Sequence, residues 1–324
     1  MSMRAIVALA MAIFAACPVA FPAAAQTYPS RQIELVAPFV AGGTTDTVAR
    51  LIAQRLSDRW GQPTIVNNRP GGGSSIGTTL VAKAAPDGHT LLVTTIAFAI
   101  NASLQKQPYD AVKDFAPITE IASIPLMLVV HNSLPVHSVK EFIEYSKSQP
   151  SGLDYATSGP GTSTHLAAEM FKTMTGANVV HVPFKGNAEV LNALLGGHVK
   201  VHFALTASTL QHVRSGALRV LAVTTEKRLP ELPDVPTIAE LGYPGYEITS
   251  WQGVFAPAGT PKDIIDKLNG EIIAMLNTPE VQARIIREGA IPVGSSPEQW
   301  SERFKNEVEK WAKVAKSAGL AAGN

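Results

Sequence analysis

The sequence predicts an α/β protein of two lobes, each a mostly parallel sheet flanked by helices, with a hinge of two crossover strands between them. Three observations lead there. Short apolar β-rich runs alternate with segments of helical spacing along most of the chain, as expected of strands covered on both faces by helices. The ~300 residues after an N-terminal leader are many for one core and suit two lobes of about 150 residues each. The final third reads as helices, and a block of helices needs a sheet to cover.

The leader comes first. Arg4 precedes an apolar run over residues 5–16, and the stretch ends in Ala23-Ala24-Ala25, which makes a charged start, an apolar middle and a small-residue cleavage site. The run is shorter than the about 20 residues that span a bilayer, and Pro18 and Pro22 interrupt the segment after it. Cleavage is expected after Ala25, with Gln26 leading the mature chain. Cys17 offers a lipoprotein reading, but Phe14 stands where Leu is usual and residues 23–25 make the better ordinary site. The chain has one cysteine, so its loss with the leader excludes disulfides, thiol catalysis and thiolate metal sites. With Arg4 of the 27 basic residues assigned to the leader, basic and acidic residues balance at 26 each. That balance argues against nucleic acid as a partner, and local groups must hold any acidic ligand, since no global field gathers it.

The elements can be taken in order. A strand over residues 33–38 is followed by Val48, Leu51, Ile52, Leu56 and Trp60 at helical spacing, with Gly61 as the stop. Then come a strand at 64–67, a Gly-rich turn, a helix through Ile76, Leu80, Val81 and Ala84, the turn Pro86-Asp87-Gly88 and a strand at 90–95. A second set opens with a strand near 126–130, and Ser138 with Glu141 forms a capping box for a helix over 139–148. A strand at 153–157 leads into a helix through Leu166, Met170, Phe171 and Met174. The alternation continues through 179–184, 190–195, 199–205 and 219–225, and ends in the Pro-punctuated segment 229–244. After a strand at 251–257 the pattern is helical over 264–276, 279–288 and 297–316. Trp300, Phe304, Val308, Trp311 and Val314 recur at core spacing. Folding this tail back onto the first set gives crossings near 117–124 and 246–254, and two strand-like crossings make a hinge. The expected division is a leader 1–25, lobe one from 26–122 with 251–324, and lobe two from 123–250.

Two loops carry candidate chemistry. Pro38-Phe39-Val40-Ala41-Gly42-Gly43-Thr44-Thr45-Asp46 joins the first strand to a helix starting at Thr44 or Thr45. Its glycines let backbone approach a ligand, and unpaired N–H groups at the positive end of a helix make an anion seat. The competing reading is an ordinary turn with a Thr or Asp cap. Ser158-Gly159-Pro160-Gly161-Thr162-Ser163-Thr164-His165 repeats the arrangement in the second set. Ligands of open α/β sheets sit beyond the carboxyl ends of the strands, so two such loops can face one another across a cleft.

Other motifs fail. Gly71-Gly72-Gly73-Ser74-Ser75-Ile76-Gly77 lacks the sixth-position glycine of a dinucleotide loop and the lysine of a phosphate loop. Ser163 and His165 are not set in a nucleophile elbow and read as helix capping. His198 and His202 lie about 13 Å apart on a strand, too far for one metal ion. No cofactor and no metal are expected, and with no acid–base constellation the chain is not read as an enzyme.

The residues add up to a resemblance. Tyr28-Pro29-Ser30-Arg31, Pro38-Phe39 with Gly42-Gly43 and Asp46, Asn68-Arg69-Pro70-Gly71, Ala85-Pro86-Asp87-Gly88, Tyr109-Asp110 with Lys113-Asp114-Phe115-Ala116-Pro117, Gly161-Thr162-Ser163-Thr164-His165-Leu166, His181-Val182-Pro183-Phe184-Lys185-Gly186, Leu232-Pro233-Asp234-Val235-Pro236-Thr237 and Phe255-Ala256-Pro257-Ala258-Gly259-Thr260-Pro261 occur in this order. From Tyr28 to its end the chain resembles the Bug family, the receptors of tripartite tricarboxylate transporters. The resemblance implies a periplasmic binding protein of type II-like fold that captures a small mono- or dicarboxylate between two lobes and delivers it to a membrane permease. It implies anchoring by Gly43, Thr44, Asp46, Ser158, Thr162 and Ser163, with Phe39 as a wall. Thr95 and Ala204 complete the expected ligand-binding set. A monomer is expected. Some members present their ligand to a sensor, so a sensor kinase is a second partner and a ligand-presenting subunit a second reading; an exported hydrolase is a third. The chain departs from the family at the mostly apolar Thr94-Thr95-Ile96-Ala97-Phe98-Ala99 and at Phe203-Ala204-Leu205, where many members have Phe-Asp-Asn. These departures suggest a ligand with a less polar body, aromatic or short aliphatic.

Overall fold

A computed structural model describes residues 28–287 and 289–317; the expected leader and its cleavage site at Ala25 lie outside the described residues. The first lobe opens with β1 (Ile33–Ala37), α1 (Thr44–Trp60), β2 (Thr64–Asn68), α2 (Ser75–Ala82), β3 (Thr90–Thr95) and α3 (Ala97–Leu104). The long β4 (Phe115–His131) leads to α4 (Val139–Ser148), β5 (Leu153–Thr157), α5 (Ser163–Thr175), β6 (Val179–Pro183), α6 (Asn187–Leu195), β7 (Val201–Leu205), α7 (Thr206–Arg214) and β8 (Leu218–Val223). The chain returns through β9 (Thr249–Pro257), α8 (Lys262–Leu276), α9 (Pro279–Arg287), β10 (Ile291–Pro292) and α10 (Pro297–Ser317).

Local chemistry sets these boundaries. Helix α1 stops at Gly61, whose φ of 67° lets its N–H turn back to the Ser57 carbonyl. Helix α4 starts on the expected box: the Glu141 N–H donates to Ser138 Oγ at 3.1 Å. The Glu141 carboxylate in turn accepts from the His137 N–H at 2.7 Å. Helix α3 is hidden in the sequence because Ile96, Phe98, Ala99 and Ile100 are all buried, and a helix apolar on most sides shows no period.

Strands β2, β1 and β3 run parallel, as do β6, β5 and β7. The hinge strands differ, pairing antiparallel with their neighbours. The first half of β4 pairs with β9 from Phe115 opposite Pro257 to Pro125 opposite Thr249. Its second half pairs with β7, Leu126 opposite Leu205, and with β8. One 17-residue strand therefore belongs to both lobes. The sequence shows only its far end, because Pro117 and Pro125 break the run of β-formers.

Helices α1 and α8 cover one face of the first sheet through Val48, Ile52, Leu268 and Ile272. The other face carries α3 and α10, with Phe98 stacked on Phe304 at 5.0 Å and Trp251 edge-on to Trp300 at 4.9 Å. This aromatic core continues through Leu166, Phe171 and Tyr246 into the second lobe. The final helix α10 also packs on α5 of the second lobe.

Polar groups lock α10 onto the hinge strands. Trp251 Nε1 of β9 and Trp311 Nε1 of α10 both donate to Glu307 Oε2, at 3.0 and 2.9 Å. Arg303 pairs with Glu120 of β4 at 3.0 Å and donates to Thr249 Oγ1 of β9 at 3.3 Å. Glu120 is 1% exposed. Burial pushes its carboxyl from an ordinary 4.5 up to about 7; Arg303 opposes the rise, while Glu307 and Glu247 add to it.

This packing makes stability depend on pH and on one glycine. Between pH 4.5 and about 7 the native Glu120 holds a proton that the unfolded chain has released, so its contribution to stability is lost as pH rises through that window. Glu120→Gln should flatten this part of the profile of melting temperature against pH; an unchanged slope would remove Glu120 as its source. A methyl on Gly253 would stand 2.9 Å from Trp300 Cε2 in a fully buried contact. Gly253→Ala should therefore cost about 1–3 kcal/mol in urea denaturation.

Candidate functional site

In each lobe a loop leaves the carboxyl end of a parallel strand and becomes a helix. After β1 the loop runs over residues 38–43, and Gly43 is the N-cap of α1, extended at φ −80° and ψ 173° with no side-chain cap. Gly42 takes the left-handed φ of 85°. Asp46 braces the loop from beneath: 4% exposed, it accepts the Gly42 N–H at 3.0 Å and Arg50 Nε at 2.9 Å through Oδ2. The Arg50 guanidinium beside it holds its carboxyl below the usual range. Asn68 Nδ2 reaches the Phe39 carbonyl at 3.3 Å. Gly43 and Thr44 are exposed and Phe39 is half-buried, so the loop offers backbone, a hydroxyl and one ring over a fixed base.

After β5 the second loop is held by its own hydroxyls. Thr162, the N-cap of α5, makes no cap bond and instead donates from Oγ1 to the Gly159 carbonyl at 2.7 Å. Thr164 Oγ1 takes the Ser158 N–H at 3.1 Å and lies 3.0 Å from Thr162 Oγ1. Beneath them His165 accepts the Gly161 N–H at Nδ1, 3.2 Å away, and stacks on His181 at 4.0 Å. His181 bonds Thr157 Oγ1 at 2.6 Å. Burial depresses both imidazoles, His165 to about 4, so at neutral pH the loop rests on uncharged rings.

Both helix starts thus leave first-turn N–H groups without a side-chain partner, where the dipole favours an anion. Uncapped starts also occur at α6 and α8, so position distinguishes these two. The second loop meets the first lobe beside α3, and a further contact between the lobes lies at Thr206. Gly161 lies against α3, where a methyl on it would stand 2.9 Å from Leu104 Cδ1 and 3.6 Å from Asn101 Oδ1. On the other flank of the hinge Thr206 Oγ1 donates to the Gly289 and Pro125 carbonyls, both at 3.0 Å. A cavity of about 710 Å³ lies elsewhere, between α4 and residues 234–243. All its walls come from the second lobe, so lobe closure would not enclose an occupant, and the two helix starts are the candidate site.

Of the residues singled out in the sequence, Phe39 and Gly43 lie on the first loop with Thr44 and Asp46 in the first turn of α1, and Ser158 and Thr162 lie on the second with Ser163 at the start of α5. Thr95 ends β3 half-buried, its Oγ1 accepting the Ala97 N–H at 3.3 Å. Ala204 does not join them. It is fully buried in the second lobe's core with Met127, Val129 and Ala156, because alternate residues of β7 face opposite sides of the sheet. The apolar stretch after β3 is likewise explained by core packing in α3. Sequence reasoning missed Asn101, whose signal was one amide just beyond that apolar run. His202 is also core, its Nδ1 2.9 Å from the Ala156 carbonyl. Among the described residues no group of three or more His, Cys, Asp or Glu side chains is placed to hold a metal ion, and no helix is long and apolar enough to cross a membrane.

Comparison with known proteins agrees with this architecture. The family described as "Tripartite tricarboxylate transporter family receptor" matches residues 48–320. Protein BugT of Bordetella pertussis is 37% identical over 98% of this chain and 99% of its own. Among solved structures, Rpa4515 of R. palustris with adipate superposes with a TM-score of 0.78 at 42% identity, covering 91% of this chain and 99% of that one. MatC of Rhodopseudomonas palustris with bound malate does so at 0.75 and 32%, covering 89% and 99%. With a family match over most of its length and relatives this similar from end to end, the chain belongs to the tripartite tricarboxylate transporter receptor family, the Bug proteins.

Proposed function

We propose that the protein is an exported receptor that closes its two lobes on a small carboxylate and presents it to the permease of a tripartite tricarboxylate transporter in the periplasm. What supports this reading is a helix start without a side-chain cap in each lobe, at Thr44 in the first and at Thr162 and Ser163 in the second. The site's chemistry suits a carboxylate. Backbone N–H groups and hydroxyls are donors, Asp46 spends its charge on Gly42 and Arg50, and the histidine pair adds none. The lobes divide near residues 123 and 250, in the paired strands β4 and β9, which is where a closing rotation is absorbed with least loss of packing. Binding free energy that both lobes contribute shifts the open–closed equilibrium.

The ligand is a mono- or dicarboxylate with a short apolar body. With Ala204 assigned to the core, this rests on Leu104 beside Gly161 and on Phe39 at the first loop; adipate in Rpa4515 is a ligand of that kind. The leader, cleaved after Ala25, supplies export.

A thermal-shift panel of succinate, adipate, malate, citrate and benzoate tests the class, because a ligand bound only by the native state raises the melting temperature. Adipate or succinate should give the largest shift. Silence across the panel would remove the carboxylate reading. Thr44→Ala and Thr162→Ala should each weaken binding of the responding ligand by roughly five- to tenfold, as expected for about 1 kcal/mol per lost hydrogen bond, without lowering the melting temperature of the free protein by more than a few degrees. Unchanged affinity in both would displace the anchor from these loops.

A further inference from the structure

Residues 71–74, between β2 and α2, form a left-handed turn. Gly71, Gly72, Gly73 and Ser74 have φ values of 125°, 57°, 62° and 86°. Ser74 is the one non-glycine residue with positive φ among the described residues. Side-chain-bearing residues avoid this region, so the surroundings must hold such a turn. The Ser74 hydroxyl does not do so, since it is buried without a hydrogen-bond partner.

Asn101 supplies the hold. Its Nδ2 donates to the Gly73 carbonyl, and it sits so close that a methyl on Gly73 would be 3.1 Å from that nitrogen. The same side chain is 6% exposed, and its Oδ1 would lie 3.6 Å from a methyl on either Gly73 or Gly161 of the other lobe. Gln107 fixes the backbone behind it, Nε2 donating to the Asn101 carbonyl at 3.2 Å while Oε1 accepts from Ser75 Oγ at 2.6 Å. One amide thus bonds a strained turn in the first lobe and lies beside the helix-start loop of the second, where a methyl built on Gly161 would come within 3.6 Å of its Oδ1. Gly77 completes the chain of contacts, because a methyl there would be 2.9 Å from Pro38 Cβ, at the root of the first loop.

We propose that Asn101 is a positioning residue for ligand capture, tying the left-handed 71–74 turn to the 159–162 loop so that the two lobes set each other's loop geometry. This rests on the carboxylate-receptor reading, and it adds a residue outside both anchor loops that governs how they meet. Gly161 lies beside Asn101, and glycine is favoured there by its left-handed φ of 71°, while a methyl would also have to displace Leu104 Cδ1, 2.9 Å away.

The test is a double-mutant cycle with Asn101→Ala and Thr162→Ala, read as the adipate Kd, together with amide hydrogen exchange of the ligand-free proteins. Asn101→Ala should weaken adipate binding roughly three- to tenfold. Its effect should depend on Thr162, with coupling of about threefold or more. Exchange should quicken both at 71–74 and at 159–162. Asn101→Asp, which keeps the size but replaces the donating amide, should reproduce both effects, and it serves where the alanine variant is poorly folded. Additive effects on Kd, or faster exchange confined to 71–74, would make Asn101 an internal brace of one lobe and overturn the proposal. If no panel carboxylate shifts the wild-type melting temperature, the carboxylate reading falls by itself. The exchange comparison then decides the Asn101 link, which stands if both segments respond and falls if 159–162 does not.

Discussion

The Glu307 carboxylate accepts hydrogen bonds from two buried indoles, Trp251 on a hinge strand and Trp311 on the final helix, and the rest of the architecture depends on that junction. An indole N–H buried without an acceptor is costly, and a buried carboxylate without donors more so. Each group removes the other's penalty, so α10 can lie against β9 only in the register that brings all three together. Trp300 and Phe304 then fill the space beside Phe98 and Phe255, and Gly253 is the residue that lets the strand pass beneath Trp300. Because α10 also reaches α5, the helix that seals the first lobe is the one against which the second must move.

That arrangement bears on how the receptor can close. A hinge made of strands transmits rotation through backbone hydrogen bonds, and here the pairing of β4 with β9 is irregular around Pro117–Thr119 and Glu120–Ala122. Bulges concentrate bending and twist. Glu120, with one oxygen on Arg303 and the other unpartnered, sits within that irregular stretch. The cost of its burial is balanced less completely than that of Glu307, which makes this the soft end of the junction and the Glu307 end the stiff one.

Much of this was legible in the sequence where local chemistry decides the outcome. The alternation of strands and helices, the Ser138 box, the Gly61 stop and both glycine-bearing loops come from spacing and from residues with one obvious use. The features that stayed hidden were decided by tertiary contacts. Helix α3 is apolar on nearly every side because it is buried between the sheet and α10, so periodicity had nothing to show. Ala204 stood where a polar residue was expected and was therefore read as facing the ligand, but strand alternation sends its methyl into the core. Asn101 could not be weighed without knowing that a strained turn lay on one side of it and the opposite lobe on the other.

The two loops solve one problem by different means, and the difference says what selects the ligand. The first is braced by a charged pair, Asp46 with Arg50, so its backbone is held by electrostatics kept below the site. The second is braced by hydroxyls over two uncharged imidazoles. Beyond Arg50, which Asp46 pairs, neither brace adds a formal positive charge, and the chain's formal net charge is only +1. Recognition of an anion must then rest on oriented N–H groups and hydroxyls at two helix starts, which reward correct placement of oxygens more than charge alone. A site built this way discriminates by geometry. Under the proposed function its specificity would follow from the spacing of the two helix starts, and Gly161 beside Leu104 is where the second loop meets the first lobe.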